Sequence, residues 1–282
     1  MKTITQKSEL KSIIEDLKSQ NKTVGLVPTM GALHDGHLSL VSRALQENDV
    51  VVVSIFVNPT QFNNPEDLEK YPRTLNIDLE LLATVSDTIL VYTPSAEDVY
   101  DNNVVSEHFD FDGLEHQMEG KFRPGHFDGV GTIVKRLFEI VTPDRAYFGE
   151  KDFQQLAIIR SLVKNHNIPV AIVGCEILRE PSGLAMSSRN VRLKPEYAEA
   201  APFIYETLKT AKSQFGTKSA IEITQWVENE FEAHPLLKLE YFTIADADTL
   251  ETARNINTQT TYRAFIAVFA DDIRLIDNIA LN

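Results

Sequence analysis

The sequence predicts an α/β protein with a Rossmann-like, doubly wound parallel sheet in its N-terminal domain and a smaller α+β C-terminal domain. Over the first two thirds of the chain, short apolar runs alternate with amphipathic stretches that have helical spacing. The strongest run, residues 49–57, is rich in β-branched residues without polar alternation, which is typical of a strand covered on both faces of a parallel sheet. Sheets of this kind bind ligands at the carboxyl ends of their strands.

Each element of the first domain follows from local spacing and composition. Apolar residues recur at helical spacing over residues 8–20, and Ser8 is a suitable cap for that helix. Residues 23–27 form a short strand, a glycine-punctuated turn follows, and the next helix runs to about Asn48. The same patterns then predict a strand at 49–57, a helix at 75–85, a strand at 88–92, a helix at 129–141, a strand at 145–148, a helix at 153–165 and a strand at 170–173.

The pattern changes near Glu180. Residues 181–183 read Pro-Ser-Gly, which is turn material, and we assign residues 1–178 to the first domain and residues 179–282 to the second. A second domain of about a hundred residues lies in the usual size range. Its predicted elements are helices at 197–214 and 219–231 and strands at 239–245, 262–269 and 273–276.

Composition indicates a protein that acts on small molecules. The 282 residues are 43% hydrophobic and 24% charged, which describes an ordinary globular protein. The formal net charge is −14, from 41 acidic and 27 basic residues, so the overall field repels nucleic acid and anionic lipid surfaces. We therefore expect small-molecule partners and neither a nucleic-acid nor a membrane partner.

The chain also carries features expected of a cytoplasmic protein. Cys175 is the single cysteine, which excludes an intramolecular disulfide and a CxxC motif. Residues 1–10 are polar and lack the apolar stretch of a signal peptide. No uninterrupted apolar run approaches the roughly 20 residues that a bilayer span needs.

Residues 28–37 read Pro-Thr-Met-Gly-Ala-Leu-His-Asp-Gly-His and lie between a predicted strand and a predicted helix. The first turn of a helix has unpaired N–H groups and a partial positive charge, so it attracts phosphate. His34 and His37 add donors at the same place, and the segment is suited to a nucleoside triphosphate. The alternatives are a metal pair, for which no clear third ligand lies nearby in sequence, and simple helix capping.

Two further segments carry polar side chains suited to an acid substrate. Asn58 and Gln61 follow the 49–57 strand directly, at the carboxyl edge of the sheet, where amides can bind a carboxylate or hydroxyl group. Asn-Pro is also a plain turn former, so a structural role is the alternative. Residues 119–129 contain Lys, Arg and His among glycines and a proline, which predicts a mobile loop that closes over an anionic substrate, or a solvated basic loop.

The last two segments are suited to phosphate. Lys151 follows the predicted strand 145–148 and can reach a phosphate as a compact charge, and Gln155 lies one helical turn later on the same face. Residues 184–190 place two serines, an arginine and an asparagine in a row, and such donors can bind one oxyanion together. A pair of serines is common in loops, so this segment is weak by itself.

Together, the segments PTMGALHDGH, FVNPTQF, EGKFRPGHFDGV, GEKDFQQ, AMSSRN and RLIDNI resemble the pantothenate synthetase (pantoate–β-alanine ligase) family over essentially the whole chain. That family belongs to the HIGH-motif nucleotidylyltransferase superfamily. Residues 34–37 stand in the HIGH position, and residues 186–189 stand where the superfamily has its KMSKS-like loop. The resemblance implies a Rossmann-type domain that binds ATP and pantoate, a smaller domain that caps the site, and a homodimer.

The resemblance also implies a two-step reaction. The carboxylate of (R)-pantoate attacks the α-phosphorus of ATP, which releases pyrophosphate and leaves pantoyl adenylate. The amine of β-alanine then displaces AMP and yields pantothenate. Such chemistry needs mainly positioning and charge stabilisation, with ATP as substrate and Mg²⁺ as its companion ion.

Residue roles are carried over on the same basis. His37, His34 and Lys151 are the predicted catalytic residues, with His37 as acid and charge stabiliser. Gln61 and Gln155 are predicted to bind pantoate, Gln61 also β-alanine, and Asp78 is the candidate magnesium ligand. The predicted ATP contacts are Met30, Gly31, Ala32, Leu33, His34, Asp35, Gly36, His37, Gly149, Glu150, Lys151, Asp152, Leu178, Met186, Ser187, Ser188 and Arg189. The predicted pantoate lining is Pro28, Met30, Phe56, Val130, Ile133, Val134, Phe148 and Met186, with Asn58 and Arg123 as further pocket members.

Two departures from the family pattern concern the magnesium contacts and the edge of the second domain. Arg192 stands where we expect an aromatic residue, and residues 76–78 supply fewer acids than in some relatives. Other interpretations are a related nucleotidylyltransferase acting on a phosphorylated substrate, an aminoacyl-tRNA synthetase, or a nucleotide-binding regulatory protein without catalysis. Gln61 and Gln155 favour a neutral or singly charged partner, and the net charge of −14 argues against tRNA.

Overall fold

A computed structural model describes residues 1–63 and 65–282 and divides the chain into two compact units. The first unit comprises Met1–Glu150 and Gln154–Glu176, and the second comprises Lys151–Phe153 and Ile177–Asn282. The boundary predicted between residues 178 and 179 differs from this division by two residues and by the short segment Lys151–Phe153.

The first unit is built on a parallel sheet with the strand order β1-β4-β3-β2-β5-β6. Its strands are β1 (Lys2–Ile4), β2 (Val24–Thr29), β3 (Val50–Ile55), β4 (Leu90–Tyr92), β5 (Arg145–Gly149) and β6 (Ala171–Cys175). Because β2 pairs with β3 on one side and β5 on the other, the chain winds outward from β2 in both directions. The carboxyl ends of β2 and β5 therefore mark the switch point where such sheets bind ligands. The predicted doubly wound sheet is confirmed.

Helices cover this sheet on both faces. Between β1 and β6 the chain forms α1 (Lys7–Ser19), α2 (Asp35–Glu47), α3 (Pro65–Lys70), α4 (Leu75–Val85), α5 (Ala96–Tyr100), α6 (Met118–Phe122), α7 (His126–Val141) and α8 (Phe153–Asn165). Side chains alternate along a strand, so Val51 and Val53 of β3 share one face, where they belong to a core with residues of α2 and α4. Val52 points to the opposite face and is also fully buried. Burial of both faces explains the unbroken apolar run.

Several predicted helix boundaries are confirmed, and others are wrong. Helices at 75–85 and 153–165 match the structure at both ends. The loop predicted at 119–129 is wrong, because α6 and the start of α7 occupy most of it. Gly129 serves close packing in a helix: a Cβ there would lie 2.4 Å from the carbonyl oxygen of Thr60. Ser8 is not the cap of α1, which follows Gln6.

The second unit contains an antiparallel sheet with the order β7-β8-β9 and helices packed against it. The strands are β7 (Leu237–Asp246), β8 (Tyr262–Ala270) and β9 (Ile273–Ala280), and the helices are α9 (Pro195–Ala200), α10 (Phe203–Gln214) and α11 (Ala220–Glu232). The single helix predicted at 197–214 is wrong: α9 and α10 are separate helices. Pro202, which lacks a backbone N–H, stands at the break between them. Within the described residues, no helix is long and apolar enough to cross a membrane.

Candidate active site

A tight backbone turn follows β2 at the switch point of the sheet. Gly31 and Ala32 both have positive φ angles, 81° and 50°. Glycine adopts this conformation without steric cost, whereas a residue with a Cβ rarely does. A Cβ on Gly31 would also lie 3.0 Å from Oδ2 of Asp78 and 3.1 Å from a methyl group of Ile55. The turn therefore requires glycine at position 31 and depends on its surroundings to hold Ala32.

Asp78, in the first turn of α4, supplies those surroundings. Its carboxylate is 1% exposed and accepts hydrogen bonds from the backbone N–H groups of Ala32 (3.1 Å) and Leu33 (2.8 Å). The hydroxyl of Thr74 donates to it at 3.2 Å. These contacts make Asp78 an anchor of the turn, a role that its separation of more than 40 residues hides from local sequence patterns. Its predicted role as a magnesium ligand stays a prediction, and no cluster of three or more metal-binding side chains occurs among the residues that the structure describes.

His34 and His37 cap the amino end of α2 with their imidazoles. Nδ1 of His34 accepts from the backbone N–H of Gly36 at 3.1 Å, and Nδ1 of His37 accepts from the backbone N–H of His34 at 3.4 Å. The two ring centroids lie 4.1 Å apart. A neutral imidazole has one acceptor and one donor nitrogen, so accepting at Nδ1 makes Nε2–H the donor of each ring. The structure therefore shows the capping alternative. Capping through Nδ1 is compatible with anion binding by the Nε2–H donors and the helix terminus.

The segment after β3 forms a buried polar network. Asn58 is 1% exposed; its Nδ2 lies 3.2 Å from Oε1 of Gln61 and 3.1 Å from the carbonyl oxygen of Gly129, and its Oδ1 accepts from the hydroxyl of Tyr100 at 2.5 Å. Burial raises the pKa of Tyr100, so the phenol stays protonated and donates. Nε2 of Gln61 lies 3.0 Å from the sulfur of Met30. The structure therefore brings the first two predicted segments together through Met30 and Gln61.

Two adjacent glutamines on α8 have different surroundings. Gln154 is 4% exposed and bonds to the backbone at Leu114, Gln117 and Glu119 at 2.8–2.9 Å, which fixes the first turn of α6 and the segment before it. Sequence reasoning missed this residue because its partners lie 35 to 40 positions away. Gln155, the predicted pantoate ligand, is half-buried and keeps that role as a prediction.

Most of the predicted apolar lining is buried in the first unit. Phe56, Val130, Ile133, Val134 and Phe148 are each no more than 8% exposed. Val130, Ile133 and Val134 lie on α7, the helix that closely approaches the turn after β3. Their burial fits the predicted apolar wall of the pantoate pocket, a role that stays a prediction.

In the second unit, strand β9 holds the backbone at Lys151. The Lys151 side chain is 18% exposed, and its Nζ lies 4.0 Å from Oδ1 of Asp152, which is half-exposed. The carbonyl oxygen of Lys151 accepts from Nδ2 of Asn278 at 2.9 Å. Asn278 itself accepts from the guanidinium of Arg263. The turn that carries the predicted phosphate-binding lysine is therefore fixed by a buried side chain from the far end of the chain.

Strand β9 also holds a hairpin formed by residues 178–186, just before Ser187. The N–H of Met186 donates to the carbonyl of Leu178 at 3.0 Å, which closes this hairpin. Arg179 within it donates to both carboxylate oxygens of Asp277, at 2.6 and 3.0 Å. Asp277 and Asn278 are consecutive on β9, so one strand supports both the hairpin and the Lys151 turn. Both residues lie in the RLIDNI segment, but the sequence predicted no role for either of them.

The loop after the hairpin is ordered by short local contacts. The N–H of Arg189 donates to Oγ of Ser187 at 3.3 Å, and Nδ2 of Asn190 donates to Glu180 at 2.7 Å and to the carbonyl of Ala185 at 3.0 Å. The loop thus presents its serine and arginine side chains from a backbone tied to the hairpin.

Comparison with known proteins decides the family. A model of the family described as pantoate-beta-alanine ligase matches residues 2–280. The chain belongs to the pantoate-beta-alanine ligase family. Among its relatives, the pantothenate synthetase of Christiangramia forsetii is 58% identical over the whole of both chains, and that of Flavobacterium psychrophilum is 58% identical over 98% of each.

Solved structures of this family have the same fold. The pantothenate synthetase of Thermus thermophilus is 40% identical, with a TM-score of 0.91 over 100% of this chain and 99% of that one. A pantoate-beta-alanine ligase from Francisella tularensis, complexed with beta-gamma ATP and beta-alanine, is 39% identical, with a TM-score of 0.81 over 100% and 98% of the two chains. The predicted family, fold class and ligase class are confirmed.

Proposed function

We propose that this pantoate-beta-alanine ligase family member condenses (R)-pantoate with β-alanine at the expense of ATP, through a pantoyl-adenylate intermediate. The family match over residues 2–280 carries the proposal. The Francisella tularensis relative, which binds beta-gamma ATP and beta-alanine, supports two of the three substrates. The amide donor of Gln61 beside Met30 supports the third, because an acid substrate needs a donor at its carboxylate or hydroxyl group.

The first step requires charge stabilisation at the phosphates of ATP. We assign this role to the Nε2–H donors of His34 and His37, the amino end of α2, and the side chains of Lys151 and Arg189. The serine hydroxyls at 187 and 188 add donors of the same kind. Removal of one such donor typically costs a factor of about a hundred in rate, or roughly 3 kcal/mol.

The contacts of His37 favour hydrogen bonding over proton transfer as its role. Its Nδ1 accepts the backbone N–H of His34, so protonation at Nδ1 would set two N–H groups against each other. We propose that His37 acts as a neutral donor through Nε2, which is a narrower role than the acid predicted from the motif.

Magnesium is expected to accompany ATP. Asp78 is a poor ligand for it, because its buried carboxylate already accepts hydrogen bonds from Ala32, Leu33 and Thr74. Magnesium usually keeps several waters and is bound largely through substrate phosphates. We propose that the protein positions the triphosphate, and that the ion arrives with it.

Separate assays of pyrophosphate and AMP test the proposed reaction. With ATP and pantoate, we expect pyrophosphate release that depends on pantoate. We expect β-alanine to accelerate AMP release, because its amine displaces AMP from the adenylate. No turnover with pantoate, or equal turnover with phosphopantetheine, would contradict the proposal; the second result would favour a nucleotidylyltransferase acting on phosphorylated substrates.

Substitution of the phosphate-binding side chains tests the site. We expect Lys151→Ala and His37→Ala each to slow adenylate formation by about a hundredfold or more, with an unchanged circular dichroism spectrum. Lys164→Ala is a matched control, because Lys164 is 79% exposed on α8 and lies outside the proposed site. A near-normal rate in Lys151→Ala or His37→Ala would show that the assignment of that residue is wrong.

A further inference from the structure

The carbonyl of Gly129, the amide of Asn58 and the amide of Gln61 form a hydrogen-bonded chain, which fixes which end of the Gln61 amide is the donor. A carbonyl oxygen can only accept a hydrogen bond, so the Asn58 atom that lies 3.1 Å from the carbonyl of Gly129 is the nitrogen, Nδ2. The second hydrogen of Nδ2 is directed to Gln61, whose nearer atom at 3.2 Å must then be the oxygen, Oε1. The other end of the Gln61 amide, 3.0 Å from the sulfur of Met30, is therefore the nitrogen.

Tyr100 completes this arrangement from the other side of Asn58. Its hydroxyl donates to Oδ1 of Asn58 at 2.5 Å, so the hydroxyl of Thr60, 2.9 Å from that of Tyr100, donates to the phenol oxygen. Tyr100 is fully buried, and the guanidinium of Arg136 stacks 4.9 Å from its ring centroid. Both hydrogens of the Asn58 amide and its oxygen thus have partners, and a flipped amide would set its oxygen against the carbonyl of Gly129.

We propose that Tyr100 is a positioning residue that acts through Asn58 to hold the Gln61 amide with its N–H₂ group toward Met30, which makes this contact selective for an oxygen acceptor of the substrate. A thioether sulfur is a weak acceptor, so a carboxylate or hydroxyl oxygen that takes its place forms a stronger bond. The inference rests on the proposed function, because it takes pantoate as the acid substrate.

Tyr100→Phe removes the donor to Asn58 while keeping the buried ring. We expect the KM for pantoate to rise about tenfold, with the KM for ATP and kcat within about threefold of the wild type. Tyr92→Phe is the matched control, because Tyr92 is also fully buried in the same unit and its hydroxyl donates to Asp98 at 3.0 Å. We expect that variant to lose stability without a change in the KM for pantoate.

Asn58→Asp tests the polarity itself. A carboxylate cannot donate to Gly129 or to Oε1 of Gln61, so the Gln61 amide turns its nitrogen toward the new carboxylate and its oxygen to the substrate. We expect the KM for pantoate to rise about a hundredfold or more, and calorimetric ATP affinity to stay within about threefold of the wild type. Thermal denaturation of each variant separates this effect from unfolding.

Two results would overturn the inference: an unchanged pantoate KM in Tyr100→Phe, whatever Asn58→Asp shows, or an equal rise in Tyr92→Phe. Wild-type turnover is measured first and separately. A wild type that forms no pantothenate contradicts the proposed function. An active wild type, together with a Tyr100→Phe variant whose KM for pantoate is unchanged, contradicts only the role of Tyr100.

Discussion

The carboxylate of Asp78 stabilises a backbone conformation that glycine alone tolerates well. Ala32 has a φ of 50°, and its N–H and that of Leu33 are both held by this carboxylate. Strain of this kind persists when the surroundings hold the backbone in place, and it is frequent at ligand-binding sites. The turn is therefore arranged before any nucleotide arrives, which reduces the cost of ordering it on binding.

We expect Asp78→Asn to destabilise the protein without any ligand present. The amide offers one acceptor oxygen in place of two, so a buried backbone N–H loses its partner at a cost of about 1–3 kcal/mol. Urea denaturation in the absence of ATP and magnesium measures the change. Asp87→Asn, at an exposed position just after α4, serves as the control. Unchanged unfolding, together with activity restored by excess magnesium, would instead identify Asp78 as a metal ligand.

A second carboxylate links the starts of β2 and β3. The backbone N–H and hydroxyl of Thr23, and then Lys22, hold the pKa of Asp49 at about 2, below its ordinary value of 3.8. The folded state therefore favours the ionised carboxylate. Its stabilising effect is fully present above the unfolded-state pKa and is lost as the pH falls through the folded-state pKa.

We expect the stability difference between wild type and Asp49→Asn to depend on pH accordingly. The difference in free energy of unfolding should be constant from about pH 7 to pH 5 and should shrink as the pH falls from about 4 toward 2. Urea denaturation at a series of pH values measures it. Thr23→Ser keeps both donors and should retain the wild-type profile. A difference that grows toward low pH would contradict the assignment.

Among the elements, β9 links two loops that the proposed mechanism uses. Asp277 pairs with Arg179 of the hairpin, and the adjacent Asn278 bonds to the carbonyl of Lys151. The Arg179 guanidinium also stacks 3.5 Å from the ring centroid of Tyr205, which restricts its position further. A regular strand fixes the spacing of consecutive residues, so the two loops keep a constant separation at their anchor points.

We expect Asp277→Asn to lower the stability of the second unit and to raise the KM for ATP. The side chains of Arg179 and Asp277 are 16% and 3% exposed, and breaking such a buried pair typically costs about 3–5 kcal/mol because one charge is left without its partner. Thermal denaturation and the KM for ATP measure the two effects.

Glu240→Gln provides the control for that variant. It breaks the 2.5 Å pair between Glu240 and Arg274, which lies on the same strand β9 and outside the hairpin contacts. We expect a smaller loss of stability and an unchanged KM for ATP. An equal rise of this KM in both variants would show that the effect comes from general loosening of the sheet.

For the whole molecule, the family resemblance implies a homodimer, which remains a proposal. Each chain has a mass of 31.7 kDa, so we expect sedimentation equilibrium to give twice 31.7 kDa across a dilution series. A mass of one chain at all concentrations would contradict the expectation. The net charge of −14 further leads us to expect no binding to duplex DNA, even at low salt, where such binding is strongest.

Local patterns in the sequence determined the order of most strands and helices. Continuous β-branched runs marked the parallel strands, and helical spacing located α4 and α8 at both ends. The motif segments determined the family, because they occur in one order across the chain. These features depend on residues close together in sequence, which is why they could be predicted.

Tertiary structure decided how the site residues are held. The sequence contains Asn58, Gln61 and Asp78, but their partners lie at Gly129, Tyr100 and the backbone of residues 32 and 33, and no spacing rule connects them. The loop predicted at 119–129 ended at Gly129, whereas the structure uses this glycine for contact between α7 and the turn after β3. The sequence does not distinguish the roles of the adjacent residues Gln154 and Gln155. In the structure, Gln154 is a buried structural amide, whereas Gln155 is half-buried.

The physical reason for this division is the range of the interactions. Helix and strand formation depends on spacing over a few residues, and the sequence by itself determined those elements and the chemistry that the motifs carry. Hydrogen-bond polarity, burial and close backbone approach depend on groups 40 to 130 positions apart, such as Asp78 with Leu33 and Asn278 with Lys151. Those contacts exist only after the chain has folded, so only the tertiary structure decided them.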